Sequence, residues 1–457
     1  MTCLAITLVI AASAQPNVIL VVTDDLGYGD LGSYGHQFIE TPNIDRLARD
    51  GIRFDHYYAA SPLCSPSRAG MITGRTPYRT GIKSWIPEDD NIFLTSNEVT
   101  IASLLRNRGY RTFFAGKWHL NGGLLNKEHP QPDAHGFDYW FGTHNFTLPT
   151  HKNPNNFFRN GVALGTLTGF AGQLVVDEAI GWLDTLSHQH PFFMYISFHE
   201  PHSEIASPDS FNSQYQEFTS KPIDLNHLEN RGPGEYFANV SHMDYQVGRL
   251  LRAIDSSGLT DDTMIIFTSD NGPVTDQWRY WWEVNMYGSS GGLRGRKADL
   301  FEGGLRVPLI IKHPGLIEPG TQSQVPLIGY DLLPTICSIT ETGLPEDRVL
   351  DGIDFSPLFS HQTIDRPLPL FWAFETRKFD DPSGYLYAVR QGPWKMIIDE
   401  DLENPLLYHL DQDPYEVIEL SNKHPEIISE LKSFVSKMIV SIDQDPLRPV
   451  HDPQSRE

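Results

Sequence analysis

Four short apolar runs constrain the fold most, because each of them stops at a cluster of polar side chains. They span Asn17–Thr23, Tyr110–Ala115, Pro191–Phe198 and Met264–Ser269. None of the four alternates polar and apolar residues, which indicates strands buried on both faces. Helical patterns such as Ile44–Asp50 and Phe237–Ser256 lie between them. This order predicts an α/β domain with a large, doubly wound mixed sheet, whose ligands bind beyond the carboxyl ends of the strands.

The sequence pattern changes near Asp351. Beyond this point, four short apolar segments and one helical pattern follow one another: Pro367–Phe374, Tyr385–Val389, Trp394–Ile398, Leu406–Leu410 and Pro425–Val440. They predict a smaller C-terminal α+β domain that carries an antiparallel sheet. A chain of 457 residues is long enough for two such units. We expect the first domain to span residues 15–345 and the C-terminal subdomain residues 346–457.

The chain begins with an apolar run, Leu4–Ala12, that leads into Ala12-Ser13-Ala14. This pattern is typical of a secretory signal peptide, so we expect residues 1–14 to be removed and the protein to be exported to the periplasm or secreted. A buried strand is the alternative, favoured by the absence of Lys and Arg before the run. The run is too short to span a bilayer, and no other segment is long and apolar enough. We therefore predict no membrane span.

The formal net charge of −23 restricts the ligands that the protein can bind. Nucleic acid is excluded as a partner, because binding a phosphate backbone needs a basic surface. A protein with this charge can still bind a small anion, but its cationic side chains must then be gathered in one place.

Two of the apolar runs end in clusters of oxygen donors, Asp24-Asp25 and Asp270-Asn271. Three carboxylates and an amide oxygen suit a hard cation, Ca²⁺ or Mg²⁺, better than zinc, for which no set of Cys and His residues is evident. Either cluster alone could simply begin a turn, since Gly27 and Gly272 follow them. Their places at the ends of two predicted strands of one sheet favour a metal site.

The segment from Cys64 to Arg75 reads CSPSRAGMITGR. It resembles the signature of the formylglycine-dependent sulfatases of the alkaline phosphatase superfamily, in which a cysteine, a proline and Ser-Arg lead into a helix that ends in Thr-Gly-Arg. Ile72 stands where that family usually has leucine, a change that conserves volume. In the family, a separate maturation enzyme oxidises the cysteine to formylglycine. The resemblance therefore implies a formylglycine at position 64 and a formylglycine-generating enzyme as a partner.

Further segments resemble the same family in the same order along the chain. They are Asn17–Gly32, Gly116–Leu120, Pro201-His202, Leu293–Lys297, Glu302–Pro308 and Leu407–Leu410. The resemblance runs from about Asn17 to Asn422, and the chain is most like the bacterial carbohydrate sulfatases of this family.

The resemblance also implies a role for each matching residue. One Ca²⁺ per chain would be held by an oxygen of the residue made from Cys64 and by carboxylate and amide oxygens of four further residues. These are Asp24, Asp25, Asp270 and Asn271. Arg68 would orient the formylglycine hydrate, and Lys117 and Lys297 would bind sulfate oxygens. His119 would assist the elimination of sulfate, and His202 would protonate the leaving oxygen.

The chemistry of sulfate ester hydrolysis explains why these residue types are needed. Hydrated formylglycine carries two hydroxyls on one carbon: one attacks sulfur and displaces the alcohol, and the other, once deprotonated, expels sulfate and restores the aldehyde. A serine would remain sulfated, because it has no second hydroxyl. Three cationic side chains and a metal ion also offset the negative charge of a sulfate monoester.

Polar segments outside these motifs point to the substrate, a sulfated saccharide. His135–Phe141 and His151–Pro154 most resemble sulfatases that act on galactose or N-acetylgalactosamine sulfates. His199 is assigned to packing or substrate contact. The candidate sugar contacts are polar or aromatic side chains that can hydrogen-bond to hydroxyls or stack on a sugar ring, namely His144, His151, Lys152, Arg159, Trp281 and Trp282.

Two other functions stay open at this point. A phosphate or phosphonate ester hydrolase of the same superfamily could use the same residues. A non-catalytic protein that binds sulfated glycans is the second alternative, although the intact set of catalytic residues argues against it.

Overall fold

The computed structural model describes residues 15–187, 189–218, 232–274, 284–374 and 384–449. The expected signal peptide and the expected sugar contacts Trp281 and Trp282 lie outside the described residues. Within these ranges, no helix has the length and apolar character needed to cross a membrane.

Twelve strands precede residue 330 in the described part of the chain. They are β1 (Asn17–Thr23), β2 (Ile52–Phe54), β3 (Tyr57–Tyr58), β4 (Arg111–Lys117), β5 (Tyr139–Thr143), β6 (Phe158–Arg159), β7 (Val162–Ala163), β8 (Phe192–Ser197), β9 (Thr263–Ser269), β10 (Leu309–Lys312), β11 (Thr321–Ser323) and β12 (Leu327–Ile328). Ten of these strands form one sheet in the order β11-β2-β10-β9-β1-β8-β4-β5-β6-β7, and β12 pairs with β3.

The centre of the large sheet is parallel and its margins are mixed. Strands β9, β1, β8, β4 and β5 run parallel to one another. Strand β10 is antiparallel to β9, and β6 is antiparallel to β5. The predicted doubly wound mixed sheet is therefore confirmed, and its five parallel strands direct their carboxyl ends to one edge.

Helices cover both faces of this sheet. Side chains of β1 alternate between the two layers: Val18, Leu20 and Val22 pack with one set of helices, and Ile19 and Val21 with the other. The described helices are α1 (Pro42–Arg49), α2 (Cys64–Thr73), α3 (Pro77–Thr80), α4 (Ile101–Asn107), α5 (Ala171–Leu183), α6 (Asp209–Asn212), α7 (Pro233–Ser256), α8 (Glu302–Leu305), α9 (Leu332–Ile339) and α10 (Pro425–Asp443). Helices α2, α4 and α9 line the first face, and α1, α5 and α7 line the second.

The C-terminal region contains a separate antiparallel sheet, as predicted. Its strands are β13 (Leu370–Ala373), β14 (Tyr385–Gln391), β15 (Trp394–Asp399) and β16 (Leu406–His409). Helix α10 covers one face of this sheet through Leu431 and Val435. The other face packs, through Ala388 and Ile397, in the same apolar cluster as Cys64 at the start of α2. The C-terminal sheet thus supports the segment that carries the signature cysteine.

Candidate active site

The carboxyl edge of the parallel strands gathers most of the predicted site residues. Because parallel strands end at the same edge of a sheet, residues far apart in sequence meet there. They are Asp24 and Asp25 after β1, Lys117 and His119 at the end of β4, His202 after β8, and Asp270 and Asn271 after β9. Lys297 reaches the same edge from the loop before α8.

Three buried carboxylates form the centre of the site. Carboxylate oxygens of Asp24, Asp25 and Asp270 lie within 4.8 Å of one another. Asn271 Nδ2 donates to Asp25 Oδ1 at 2.7 Å, which leaves the amide oxygen of Asn271 available. Asp24 Oδ1 and Asn271 Oδ1 are buried and have no hydrogen-bond partner among the described residues. A buried group of oxygen donors with unsatisfied atoms fits a hard divalent cation.

Each of these carboxylates also faces a cationic side chain. The pairs are Lys117 Nζ with Asp24 at 2.7 Å, Lys297 Nζ with Asp25 at 2.6 Å, and Arg68 Nη2 with Asp270 at 2.7 Å. Lys297 is the most exposed of the six residues, at 4%. Buried charges persist only when they are paired, and here the cations are gathered in one place, as the acidic composition requires.

The surroundings shift the pKa values of two of the carboxyls in opposite directions. Burial raises the pKa of Asp24, but Lys117 and the other nearby cations outweigh burial and hold it well below its usual range. Burial raises the pKa of Asp270 to about 6, although Arg68 opposes the shift. A bound cation would favour the charged form of both groups.

Cys64 is the first residue of α2 and is buried. Arg68 follows one helical turn later, on the same side of the helix, and reaches Asp270. Burial raises the pKa of the Cys64 thiol, against the effect of Lys117 and Lys297. Because the thiolate is the reactive form of cysteine, an unmodified thiol here is a weak nucleophile.

One ring nitrogen of His119 carries no proton. Its Nε2 lies 3.1 Å from the carbonyl oxygen of Ile86, which can only accept, so Nε2 carries the proton. Its Nδ1 is buried and has no hydrogen-bond partner in the described chain. Burial, and then the charge of Lys117, keep the pKa of His119 well below its ordinary value. The ring is therefore neutral and can accept a proton at Nδ1.

His202 lies at the more accessible side of the site. Its side chain is 19% exposed, and its Nε2 lies 3.6 Å from Asp25 Oδ2. Its Nδ1 lies 2.8 Å from the carbonyl oxygen of Ser203, which fixes the ring with a proton on Nδ1. Nε2 is thus the nitrogen that faces the carboxylates and any ligand bound above them.

Comparisons with known proteins bear on this arrangement. The Sulfatase family model matches residues 16–342, and the model for N-sulphoglucosamine sulphohydrolase, C-terminal, matches residues 296–441. Arylsulfatase A of Bos taurus is 32% identical over 486 residues, covering 95% of this chain and 89% of its own. N-acetylgalactosamine-6-sulfatase of Homo sapiens is 30% identical over 473 residues, covering 93% and 86%. The crystal structure of Ps i-CgsB in complex with k-i-k-neocarrahexaose has a TM-score of 0.80 at 26% identity and covers 96% of both chains.

The segment that matches the Sulfatase family model contains all the metal-binding and catalytic residues expected from the sequence, from Asp24 to Lys297. The chain belongs to the sulfatase family. The resemblance read from the sequence is confirmed, and the protein is a sulfatase, an enzyme that hydrolyses sulfate esters.

Of the expected sugar contacts, His144 lies beside His119 in this sulfatase. Its ring centroid is 5.6 Å from that of His119. Arg159 lies on β6, and its guanidinium donates to both carboxylate oxygens of Glu178 at 2.6 Å. Lys152 is exposed, with its Nζ over the ring of Phe170. In the part of the chain that the structure describes, no contact joins Lys152 or Arg159 to the acidic cluster.

His151 and His199 are both buried. Asn239 Nδ2 lies 3.2 Å from His151 Nδ1, and Thr143 Oγ1 lies 2.8 Å from His199 Nε2. The contact of His199 with Thr143 agrees with packing, while His151 Nε2 and His199 Nδ1 have no hydrogen-bond partner among the described residues.

Ser197, the last residue of β8, belongs to the site although no sequence motif indicates it. Arg68 Nη1 donates to Ser197 Oγ, and Ser197 Oγ donates to the carbonyl oxygen of Lys117 at 2.8 Å. The serine thereby fixes the side chain of Arg68 relative to the end of β4. The sequence gives one indication of this role, the position of Ser197 at the end of a strand. Serine is too common at strand ends to identify a site residue.

Proposed function

We propose that this sulfatase is a calcium-dependent carbohydrate sulfatase that acts through a formylglycine at position 64. The proposal rests on three ion pairs, in which three buried carboxylates contact three cationic side chains close to the start of α2. Such an arrangement can bind a divalent cation and a sulfate group next to residue 64 at the same time.

Asp24, Asp25, Asp270 and Asn271 would hold Ca²⁺, together with an oxygen of residue 64. Oxygen is their only donor element, and two of the donor atoms lack hydrogen-bond partners, which supports a calcium site. When bound, the ion supplies positive charge beside the nucleophile and the sulfate group.

A formylglycine at position 64 supplies, once hydrated, both the attacking hydroxyl and the hydroxyl whose deprotonation expels sulfate. Burial raises the pKa of the Cys64 thiol, so the unmodified residue would be a weak nucleophile in this place. Arg68 is held by Asp270 and Ser197 and would orient the modified residue one turn earlier on α2.

The remaining residues would bind sulfate and move protons. Lys117 and Lys297 are the two lysines at the carboxylate cluster and would bind sulfate oxygens. His119 has a neutral ring with an available Nδ1, so it would accept the proton during elimination. His202 is the more accessible of the two histidines. With a second proton on Nε2, its imidazolium form would protonate the leaving oxygen from that nitrogen.

We further propose a galactose or N-acetylgalactosamine sulfate as the substrate. One relative is named for N-acetylgalactosamine 6-sulfate, and one solved neighbour is bound to a neocarrahexaose. His144 lies where a polar side chain can contact the sugar next to His119. Hydrogen bonds from enclosed polar groups discriminate epimers better than apolar contacts do.

The test is sulfate release from galactose and N-acetylgalactosamine sulfated at defined positions, with the glucosamine series and matching phosphate esters assayed in parallel. We expect the galacto series to have the highest kcat/KM and the phosphate esters the lowest. Faster turnover of the glucosamine series would refute the galacto preference alone, and faster turnover of phosphate esters would refute the sulfate specificity. Binding of sulfated glycans without any turnover would indicate a non-catalytic protein.

We also propose that the first domain ends at residue 345 and that the C-terminal subdomain begins at residue 346. We further propose that the protein is exported after removal of residues 1–14. The separate C-terminal sheet supports the first, and the apolar run before Ala14 supports the second. Amino-terminal sequencing of the protein purified from its native cells should begin at Gln15. A chain that begins at Met1 would refute the export signal.

A further inference from the structure

A second concave surface lies on the C-terminal domain, between β14 and the helices α3 and α10. It encloses about 260 Å³. Three tyrosines, two cations and two carboxylates contribute to its walls, among them Tyr78, Lys83, Tyr385, Tyr387, Glu400 and Arg448. We call this surface the C-terminal groove. None of the residues proposed for sulfate hydrolysis lines it.

A short segment connects the C-terminal groove to the active site. Lys83 lines the groove. Three residues later, Ile86 forms two backbone hydrogen bonds, one with Ser65 and one with His119. Its N–H donates to Ser65 Oγ at 3.1 Å, and its carbonyl oxygen accepts from His119 Nε2 at 3.1 Å. Three residues of extended chain span at most about 11 Å, so the groove begins close to His119. Trp85 lies within this segment and is 43% exposed.

One residue of the groove also reaches the opposite face of the C-terminal sheet. Tyr385 packs against the apolar cluster that contains Cys64 and Ala298, the residue after Lys297. The C-terminal groove is therefore joined to the active site by the segment from Lys83 to Ile86 and by the packing of Tyr385, and Trp85 is exposed within that segment.

The side chains in the groove have the chemistry of a sugar subsite. Tyrosine rings stack on the apolar face of a pyranose while their hydroxyls hydrogen-bond. Carboxylates such as Glu400 accept from sugar hydroxyls, and Lys83 can bind a hydroxyl or a sulfate oxygen. Some of these groups are already held in place: Tyr387 stacks on Phe371 with ring centroids 6.0 Å apart, and Arg448 pairs with Asp443. The volume lies just below the range for drug-sized ligands and suits a single sugar ring.

We propose that the C-terminal groove binds a second pyranose residue of the sulfated chain whose sulfate ester occupies the active site. This inference rests on the proposed carbohydrate sulfatase function. It makes the preferred substrate an oligosaccharide, because binding a neighbouring sugar unit supplies energy that a sulfated monosaccharide lacks.

The experiment compares kcat/KM for a sulfated galactose-series monosaccharide and for a tetrasaccharide that carries the same sulfated unit. We expect the wild-type enzyme to favour the tetrasaccharide. Lys83→Ala and Glu400→Gln each change an exposed side chain of the groove, and each should lower the ratio of the two kcat/KM values about tenfold, the effect of one hydrogen bond to a charged group. Lys437→Ala, an exposed lysine of α10 outside the groove, is the matched control and should leave the ratio unchanged.

A wild-type enzyme without length preference, or groove variants that keep the wild-type ratio, would overturn the inference. Calorimetric titration of the Cys64→Ala protein with the tetrasaccharide separates this failure from failure of the proposed function. If Lys83→Ala weakens binding in that background, the groove is a sugar subsite whatever the turnover. If Lys83→Ala leaves binding unchanged, the groove is not a sugar subsite. Failure to hydrolyse any sulfate ester would count against the proposed reaction alone.

Discussion

Lys297 donates to both carboxylate oxygens of Asp25, at 2.6 and 2.8 Å. The two residues are 272 positions apart in the chain, and both are buried. Burial alone would lower the pKa of Lys297, but Asp25 outweighs it and raises that pKa well above the ordinary value. Lys297 is therefore charged at any physiological pH and brings a fixed positive charge to the edge of the acidic cluster.

Replacing Lys297 by alanine should remove about 10²- to 10³-fold from kcat, since the lysine is proposed to stabilise charge on the transferring sulfate. Steady-state kinetics on one sulfate ester measure this effect. Lys312→Ala is the matched control, because Lys312 pairs with the half-exposed Asp50 away from the site and should leave kcat near the wild-type value. Equal losses in the two variants would contradict a specific role for Lys297.

Active enzyme should contain an aldehyde in place of the thiol at position 64. Mass spectrometry of the peptide that contains residue 64 shows this directly. Cys64→Ser should fold and lose turnover, because a sulfated serine has no second hydroxyl with which to expel sulfate. Cys337→Ala changes the other buried free cysteine, in α9, and should retain activity. Full activity with unmodified Cys64 would refute the mechanism.

The positions where the strands end could be predicted from the sequence. Strand β1 occupies the predicted Asn17–Thr23, and the polar clusters after β1, β4 and β9 meet at one edge, because parallel strands must end together. Two features depended on tertiary contacts that no local pattern encodes. Strand β10 runs antiparallel to β9, so its last residue, Lys312, lies at the opposite edge of the sheet from the site. The guanidinium of Arg159 pairs with Glu178, which lies 19 positions later, on α5.

Calcium should stabilise the protein independently of catalysis. In the Cys64→Ala background, Ca²⁺ at 100 times its Kd should raise the free energy of unfolding by about 2.7 kcal/mol. Asp270→Ala removes one carboxylate of the cluster and should abolish this increase. Thermal unfolding with and without a chelator measures it, and Asp399→Ala, a change outside the cluster, should respond to calcium like the parent. Stoichiometric zinc in the purified protein would show that the ligand assignment is wrong.

His202 should matter most for substrates with poor leaving groups. Loss of a general acid costs about 10²- to 10⁴-fold when the leaving oxygen needs its proton, and far less when the leaving group is an acidic phenol. We therefore expect His202→Ala to reduce kcat/KM strongly on a sugar sulfate and weakly on a nitrophenyl sulfate. His313→Ala, in a loop after β10, serves as the control. The same loss on both substrates would argue that His202 binds sulfate and does not protonate the leaving group.

The C-terminal sheet meets helix α8 at a buried ionic cluster in which two carboxylates share one lysine. Lys395 Nζ on β15 lies 3.0 Å from Glu302 Oε1 and 2.9 Å from Glu416 Oε1. Burial alone would raise the pKa of Glu302, but Lys395, with two nearby arginines, holds it at about 2. Burial raises the pKa of Glu416 to about 7, because Lys395 is already engaged with Glu302 and the second negative charge is less well compensated.

This difference predicts a pH dependence of stability with a definite sign. Glu416 binds its proton more tightly in the folded than in the unfolded protein, so its contribution is fully present below pH 4.5 and is lost as the pH rises towards 7. Glu302 has the opposite shift, and its contribution is lost only as the pH falls from 4.5 towards 2. Between pH 5 and 8, therefore, Glu416 destabilises the folded protein progressively and Glu302 does not.

Glu416→Gln should flatten the stability curve over that range. The amide oxygen can still accept from the Glu302 N–H, which now donates to Glu416 Oε2 at 2.7 Å, while the buried second charge is removed. Unfolding midpoints in urea at pH 5, 6, 7 and 8 should fall less in Glu416→Gln than in the wild type, whereas the exposed control Glu403→Gln should follow the wild type. Lys395→Met removes the lysine that both carboxylates share and should cost about 3–5 kcal/mol at pH 8. A wild-type slope retained in Glu416→Gln would show that Glu416 is not the source of the pH dependence between pH 5 and 8.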